Sequence, residues 1–410
     1  MTARRLEAPW LAEGHVAELL AILNRDGEEA RVVGGAVRNA LLGEPHGDID
    51  IATTAPPEEV IRRVEAAGFK AVPTGIDHGT VTVVIGGRPF EVTTLRQDVE
   101  TYGRKAKVAF GRDWRADAER RDFTINALSV APDGTLHDYV GGLADLAERR
   151  VRFIGEAQAR IAEDYLRILR FFRFHAAYGE GAPDAAGLHA CIVARAGLDA
   201  LSRERVRMEF LKLLPASRAV ATLAVMEEAG LLGRLLAGVP LLASYANMRK
   251  IEVALGLAAD PVRQLGALGV RVVEDAERLW QRMRLSNVEH ERLRSMATQW
   301  RGLSPAIGQK GARALLYRIG ADRFLDRVLI AWTRSQAGAA DAAWHDLTTL
   351  PLRWTAPVFP LKAADFMARG VAAGPALGAA LRAAEEAWIA ADFPMDSASL
   401  KAIAAQIVSG

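Results

Sequence analysis

The chain has 410 residues, 50% hydrophobic and 25% charged, which is the composition of a soluble globular protein with material for two to four domains. No apolar run reaches membrane-span length, the opening Met-Thr-Ala-Arg-Arg-Leu-Glu lacks a signal core, and the single Cys191 excludes an internal disulfide framework and a cysteine zinc cluster. A cytoplasmic enzyme is expected, and its net charge of +2 conceals a skew in type, since only 8 of the 52 basic residues are Lys.

In chain order, residues 1–27 read as a lead-in helix, with Leu11, Val16, Leu19, Leu20 and Leu23 near helical spacing. Strands are expected at 31–33, 49–52, 80–85, 90–94 and 127–131, and helices at 37–42 and 57–67. Gly86-Gly87, between two β-rich runs, marks a hairpin. Residues 95–116 are polar and read as a strand-poor, mobile loop. After Gly142 the strands stop. Residues 156–178, 203–214, 217–237 and 261–300 carry 3.6-residue apolar patterns, punctuated by Pro215, Pro240, Pro261, Pro305 and Pro351. The chain is therefore α+β, with a mixed head followed by an all-helical remainder.

The stretch 34–50 is the most informative. The pair Gly34-Gly35 follows an apolar strand and opens a short helix, leaving backbone N–H groups free for a phosphate. Asp48 and Asp50 stand at i and i+2, which on a strand puts both carboxylates on one face. Two hard oxygen ligands suit Mg²⁺, which binds through one or two carboxylates plus substrate phosphates. An EF-hand loop is excluded by Ala52 and Thr53, and neither a Walker loop nor a G-x-G-x-x-G fingerprint occurs. The stretch thus reads as a site for a nucleoside triphosphate and its metal.

Further on, Glu91 alternates with Phe90 and Val92 and so faces away from the core. A strand paired beside Asp48 and Asp50 would give three convergent carboxylates, enough for two Mg²⁺ and in-line attack of a hydroxyl on an α-phosphate. In Glu-Arg-Arg-Asp-Phe-Thr-Ile-Asn (119–126), Arg120 and Arg121 can hold triphosphate charge and Asp122 can accept a ribose hydroxyl, while Thr124 and Asn126 brace the turn. In Glu-Asp-Tyr-Leu-Arg-Ile-Leu-Arg (163–170), a continuous helix would place Asp164 and Arg167 on one side and Leu166 and Leu169 on another. By itself that pair is an ordinary surface ion pair.

Gly-Gly-Ala-Val-Arg with Asp-Ile-Asp, then Arg-Arg-Asp-Phe-Thr-Ile-Asn-Ala, Asp-Tyr-Val-Gly-Gly-Leu-Ala-Asp-Leu (138–146) and Glu-Asp-Tyr-Leu-Arg-Ile-Leu-Arg closely resemble class II CCA-adding tRNA nucleotidyltransferases and the related bacterial poly(A) polymerases. Leu201-Ser-Arg-Glu-Arg-Val-Arg-Met-Glu-Phe resembles their next motif, a Ser-capped helix. The resemblance covers about residues 31–214. It implies a nucleotidyltransferase head with a mixed, mostly antiparallel sheet (1–142), a helical neck (143–215), and a helical body and tail (216–410) that grip the tRNA acceptor and T-arm. It implies Asp48 and Asp50 as Mg²⁺ ligands, two ions in all, with Glu91 as the third acid. It also implies nucleotide contacts at Gly34, Gly35, Arg38, Arg121, Arg170 and Arg173, a ribose contact at Asp122, and base reading by Asp164 and Arg167. One departure is Asn39, where many members carry Asp.

One acceptor and one donor at fixed separation accept cytosine and adenine, which present an amino group beside a ring-nitrogen acceptor. They reject guanine and uracil, which present the reverse. The reaction expected is addition of C, C and A to the 3′ end of tRNA from CTP and ATP, with no membrane and no obligate protein partner. A poly(A) polymerase, a CC-only or A-only enzyme, and a catalytically silent RNA-binding protein are the alternatives. Thr74-Gly-Ile-Asp-His-Gly-Thr-Val looks like the tRNA enzymes and unlike the basic segment of the polymerases. Intact Asp48, Asp50 and Glu91 speak against a silent protein.

Overall fold

Among the described residues the strands are β1 (Ala30–Val33), β2 (Asp50–Thr53), β3 (Lys70–Gly75), β4 (Thr80–Ile85), β5 (Arg88–Thr94), β6 (Arg96–Tyr102), β7 (Lys105–Phe110), β8 (Ser129–Val130) and β9 (Leu136–His137). Seven form one sheet in the order β3-β4-β5-β2-β1-β8-β9, and β6 pairs with β7 alone. The structure is a computed structural model that describes residues 4–102 and 105–409. The chain divides into two units, Met1–Leu231 and Leu232–Gly410.

Every pairing in the large sheet is antiparallel except β2 with β5. The sheet is thus mixed and mostly antiparallel, as expected. Alternation sets its faces: Val81, Val83, Ile85, Phe90 and Val92 are buried, and the helix Pro57–Ala66, which contributes buried Val60 and Val64, packs on these strands. The β4–β5 hairpin closes Ile85 onto Arg88 through Gly86 (φ 57) and Gly87 (φ 78). Both turn residues are left-handed, the geometry whose twist suits a two-residue hairpin.

The structure departs from the sequence expectation in three places. Residues 95–116 are not strand-poor: β6 and β7 pair across them and a helix, Trp114–Glu119, follows; residues 103 and 104 lie outside the described residues. The short strands β3 and β9 were also not expected. The lead-in segment is two helices, Pro9–Ala12 and Gly14–Leu23, broken at Glu13.

After β9 the described residues form no further strand. The helix Ala219–Glu228 lies in the first unit; it packs on Leu166–Tyr178, and the Arg218 N–H bonds to the Ala176 carbonyl at 3.0 Å. The second unit is helical. Asp326 is 1% exposed and accepts from Arg263 at 2.9 Å and Arg292 at 2.8 Å, while Arg263 also reaches Glu252 and Arg292 reaches Asp260. This web ties four helices through charges that burial makes costly to separate. Farther along, Phe366, Trp388 and Phe393 form a core with Tyr317, Trp354 and Phe359. No helix among the described residues is long and apolar enough to cross a membrane.

His175, buried in the helix Leu166–Tyr178, is held neutral: burial and then the nearby Arg218 push its pKa from 6.5 down to about 4. The unfolded chain therefore binds one more proton than the folded chain between these values, and stability falls as pH drops through them. The slope from this group is at most about 1.4 kcal/mol per pH unit. His175→Gln should flatten the fall of Tm between pH 6.5 and 4; an unchanged slope would mean that other groups carry it.

Candidate active site

The register of β2 on β5 builds the acid centre. Asp50 lies directly opposite Glu91, with Ile51 opposite Val92 on the buried face. Asp48 lies in the bend before β2 and not on the strand, so the i, i+2 spacing works through a turn and not through strand alternation. Its charge still reaches Asp50. Desolvation in the cleft and then Glu91 raise the Asp50 carboxyl above its usual range; Arg121 opposes them, and Asp48 adds to the rise. Among the described residues, none of these three carboxylates has a hydrogen-bond or ion-pair partner in the protein. Nor does any group of three or more acidic, His or Cys side chains form a preassembled cage. Unpartnered acids, with Asp50 raised in proton affinity, suit a cation that brings its own waters and phosphate ligands, as Mg²⁺ does.

A cleft of about 640 Å³ opens beside Asp50 and is lined by Gly34, Gly35, Arg38, Arg121, Asp122, Asp164, Arg167, Arg170 and Arg173. Ten of the twelve residues singled out from sequence thus line one cavity. Glu91 lines a neighbouring cleft that shares Asp50 and Arg121 with the first; Asp48 lines neither. Six arginines against four acids give the larger cleft a cationic surplus suited to a triphosphate.

Gly34, at φ 72, turns β1 into the helix Gly35–Leu41, a conformation open to glycine. Arg38 follows on that helix and is buried without a carboxylate partner among the described residues. It stacks 3.9 Å over the Tyr178 ring and donates to Tyr178 Oη at 2.7 Å, to Asn39 Oδ1 at 2.8 Å, and to Asn126 Oδ1. Asn39, the departure from the family pattern, supplies a neutral acceptor here. Burial lowers the Arg38 pKa, the signature of a cation short of anions.

The turn carrying Arg121 and Asp122 is locked from behind. Asp138 accepts from the N–H groups of Val140, Gly141, Gly142 and Leu143, and the fully buried Asp145 accepts from Thr124 Oγ1 at 2.6 Å and from Arg150 and Arg152. A Cβ on Gly142 would stand 2.2 Å from the Thr124 carbonyl oxygen, which accounts for the glycine. Asn126 joins Arg38 to Asp122, donating to Asp122 Oδ1 at 3.1 Å. Asp122 also accepts from the Phe123 N–H and from Arg170 Nε at 2.7 Å and Nη2 at 2.6 Å. Burial favours its neutral form, but Arg170 and Asn126 prevail and its pKa falls below the ordinary range. These contacts engage both oxygens, so in this structure Asp122 anchors the cleft wall.

Asp164 and Arg167 do not share a continuous helix. The helix Ala157–Glu163 ends before Asp164, which is extended (φ −156, ψ 108), and a second begins at Leu166. Asp164 Oδ1 accepts the Leu166 N–H at 3.1 Å, the local bond by which Asp interrupts a helical pattern. Its ion-pair partner is Arg205 at 2.6 Å, from the helix Arg203–Leu213, while Arg167 pairs with Glu163. Arg205 and the Leu166 N–H outweigh desolvation and lower the Asp164 pKa. Arg173 is held by the buried Glu209 at 2.6 Å. Arg205, Met208 and Glu209 were not foreseen as site residues; their i, i+3, i+4 spacing on a helix was the available signal. Ser202 stands at that helix's N-cap without a capping hydrogen bond.

Asn126→Ala should leave a buried guanidinium and a buried carboxylate each short of a partner, at a cost of about 2 kcal/mol. Asn39→Ala, at a more exposed amide, should cost less than half of that. Urea denaturation of both variants measures the difference; equal costs would remove Asn126 as the joint of the site.

Residues 30–152 match the family described as Poly A polymerase head domain, and residues 189–245 that described as Probable RNA and SrmB- binding site of polymerase A. The chain is 33% identical over 386 residues to CCA tRNA nucleotidyltransferase 1, mitochondrial, of Mus musculus, spanning 93% of this chain and 88% of that one. It is 43% identical over 213 residues to the CCA-adding enzyme of Geobacillus stearothermophilus, 51% of each chain. The crystal structure of the Bacillus stearothermophilus CCA-adding enzyme in complex with CTP superposes with a TM-score of 0.73 at 29% identity, covering 94% of both chains. With the acid pair, the cationic cleft and a relative aligned along nearly its whole length, the chain belongs to the CCA-adding tRNA nucleotidyltransferase family.

Proposed function

We propose that this enzyme adds C, C and A to the 3′ end of tRNA from CTP and ATP with release of pyrophosphate, and that the cleft beside Asp50 holds the incoming nucleotide. The observation that carries the assignment of the site is the Asp50–Glu91 register: two unpartnered acids mark the point where two clefts meet. Asp48 and Asp50, with Glu91, would hold Mg²⁺, which on binding neutralises charge at the α-phosphate and activates the attacking hydroxyl. Gly34 and Gly35 let the triphosphate approach the backbone, and Arg38, Arg121, Arg170 and Arg173 place cations around it. Residues 1–142 serve as the head and 143–215 as the neck, while 216–410 hold the tRNA by shape and backbone charge.

Base choice is assigned to Asp164 and Arg167. The Asp164 carboxylate accepts the amino N–H of cytosine or adenine, and Arg167 donates to the ring nitrogen beside it. Arg205 fixes the carboxylate plane. Serving C twice and A once requires the pocket to reshape as the product grows, and we assign this change to the β6–β7 hairpin, which follows β5 directly in the chain.

Product sizing on tRNAs ending before CCA, after C and after CC tests the assignment. Complete CCA and no further extension is expected; long A tails on unstructured RNA with little activity on tRNA would make the enzyme a poly(A) polymerase. Asp50→Ala should lower single-turnover incorporation by about a thousandfold or more while tRNA filter binding stays near wild type. Near-normal incorporation would remove the metal assignment.

Arg167→Ala should erode selection between bases more than affinity for triphosphates. Loss of a charged hydrogen bond costs about 2–3 kcal/mol, so CTP/UTP discrimination should fall by roughly thirtyfold or more. Competition between the two nucleotides on tRNA lacking CCA is the measurement, and an unchanged preference would return Arg167 to a surface ion pair.

A further inference from the structure

The half of the sheet formed by β2, β5, β4 and β3 has two unlike faces. One is the apolar face under the helix Pro57–Ala66. The other starts at Asp50 and Glu91 and runs outward through threonines: Thr93 follows Glu91 on β5, Thr80 lies opposite Thr93, and Thr82 lies opposite Glu91. The hydroxyls pair across the strands, Thr80 with Thr93 at 3.1 Å and Thr82 with Thr74 at 2.8 Å. Threonine on an exposed strand is ordinary β chemistry. The Thr80–Thr93 pair differs in that it lies inside the second cleft, of about 250 Å³, whose walls include Asp50, Glu91, Arg96 and Arg121.

In-line displacement sets what this cleft is for. With the nucleotide in the larger cleft, the attacking 3′-hydroxyl must reach the α-phosphate from the side opposite pyrophosphate. The second cleft shares Asp50 with the larger one and adds Glu91, so the two meet at the acid centre. We propose that it seats the terminal ribose of the acceptor RNA, and that the Thr80–Thr93 hydroxyl pair binds that ribose through its 2′-hydroxyl; the proposal rests on the nucleotide-addition reading above. The chemistry matches. One of the two threonine O–H groups is spent within the pair, and the other, with the free lone pairs, meets a 2′-hydroxyl that both donates and accepts. Arg96, held by the His78 carbonyl at 2.8 Å, adds a cation at the wall where the last phosphodiester would pass.

The test compares tRNA lacking CCA and ending in a ribonucleotide with the same tRNA ending in its 2′-deoxy counterpart, which keeps the attacked 3′-hydroxyl. Single-turnover C addition is read as kcat/KM for tRNA. The wild-type enzyme should prefer the ribose end by about tenfold. Thr80→Val with Thr93→Val, which preserves shape and strand preference, should bring that ratio close to one with the KM for CTP unchanged. Thr80→Ser with Thr93→Ser should restore it, showing that the hydroxyls and not the folding of the sheet are responsible. A wild-type ratio of one, or a ratio that survives both valines, overturns the proposal. Failure of the wild-type enzyme to extend either tRNA would instead strike the nucleotide-addition reading itself.

Discussion

The parallel pairing of β2 with β5 is the constraint on which the site depends. It places two carboxylates side by side, and like charges at that spacing oppose one another. The sheet tolerates this because the opposite face of the same residue pairs is apolar and fully buried: Ile51 on Val92 contributes stability where Asp50 on Glu91 removes it. A one-residue slip of β2 would bury Asp50 and expose Ile51, so the packing that holds the register also holds the chemistry. Desolvation and then Glu91 raise the Asp50 pKa, and a divalent cation beside it would favour the charged form again.

Around that centre, the arginines are stored in two ways. Arg170 and Arg173 are fixed by buried acids, Asp122 and Glu209, and Arg121 is steadied by Asp117 at 3.2 Å. Arg38 is fixed by neutral groups alone, through stacking and amide oxygens. The first arrangement gives position at the expense of local charge; the second leaves the full charge of the guanidinium for a ligand. A cleft for a triphosphate needs both, since six uncompensated arginines in one cavity would repel one another strongly.

The features legible in sequence were those carried by local pattern. The β4–β5 hairpin showed itself through Gly86-Gly87, the acids through Asp48-Ile49-Asp50, and the cleft residues through motif resemblance. Features that depend on long-range pairing were not legible. β3 and the two-residue β9 are edge strands whose residues do not alternate clearly, and β6, Arg-Gln-Asp-Val-Glu-Thr-Tyr, is too polar to announce its half of a hairpin. The 3.6-residue pattern runs unbroken from 156 to 178 because both helices there bury the same kind of side chain, so periodicity missed the break at Asp164. Arg205 lies 41 residues from the carboxylate it pairs with, and nothing in the spacing of its own motif names that partner. The boundary at Leu231 likewise follows from the packing of Ala219–Glu228, which its sequence does not reveal.

Four carboxylate–arginine pairs at the cleft fall into two kinds, and burial decides between them. The Glu209 and Asp122 side chains are 3% and 10% exposed where they meet Arg173 and Arg170. Breaking such a pair strands a buried charge at about 3–5 kcal/mol, so a passing ligand cannot recruit these acids. Asp164 and Arg205 are each 34% exposed, and the Glu163 that holds Arg167 is 37% exposed. Exposed pairs are worth about 1 kcal/mol or less. Under the proposed base reading, Arg167 would leave Glu163 and Asp164 would be shared with Arg205 at less cost than breaking the buried pairs. The break at Asp164 places both groups at a helix junction and not mid-helix, where their side chains can turn without unwinding backbone. The buried acids hold the frame, and the more exposed ones are the pairs that can exchange partners.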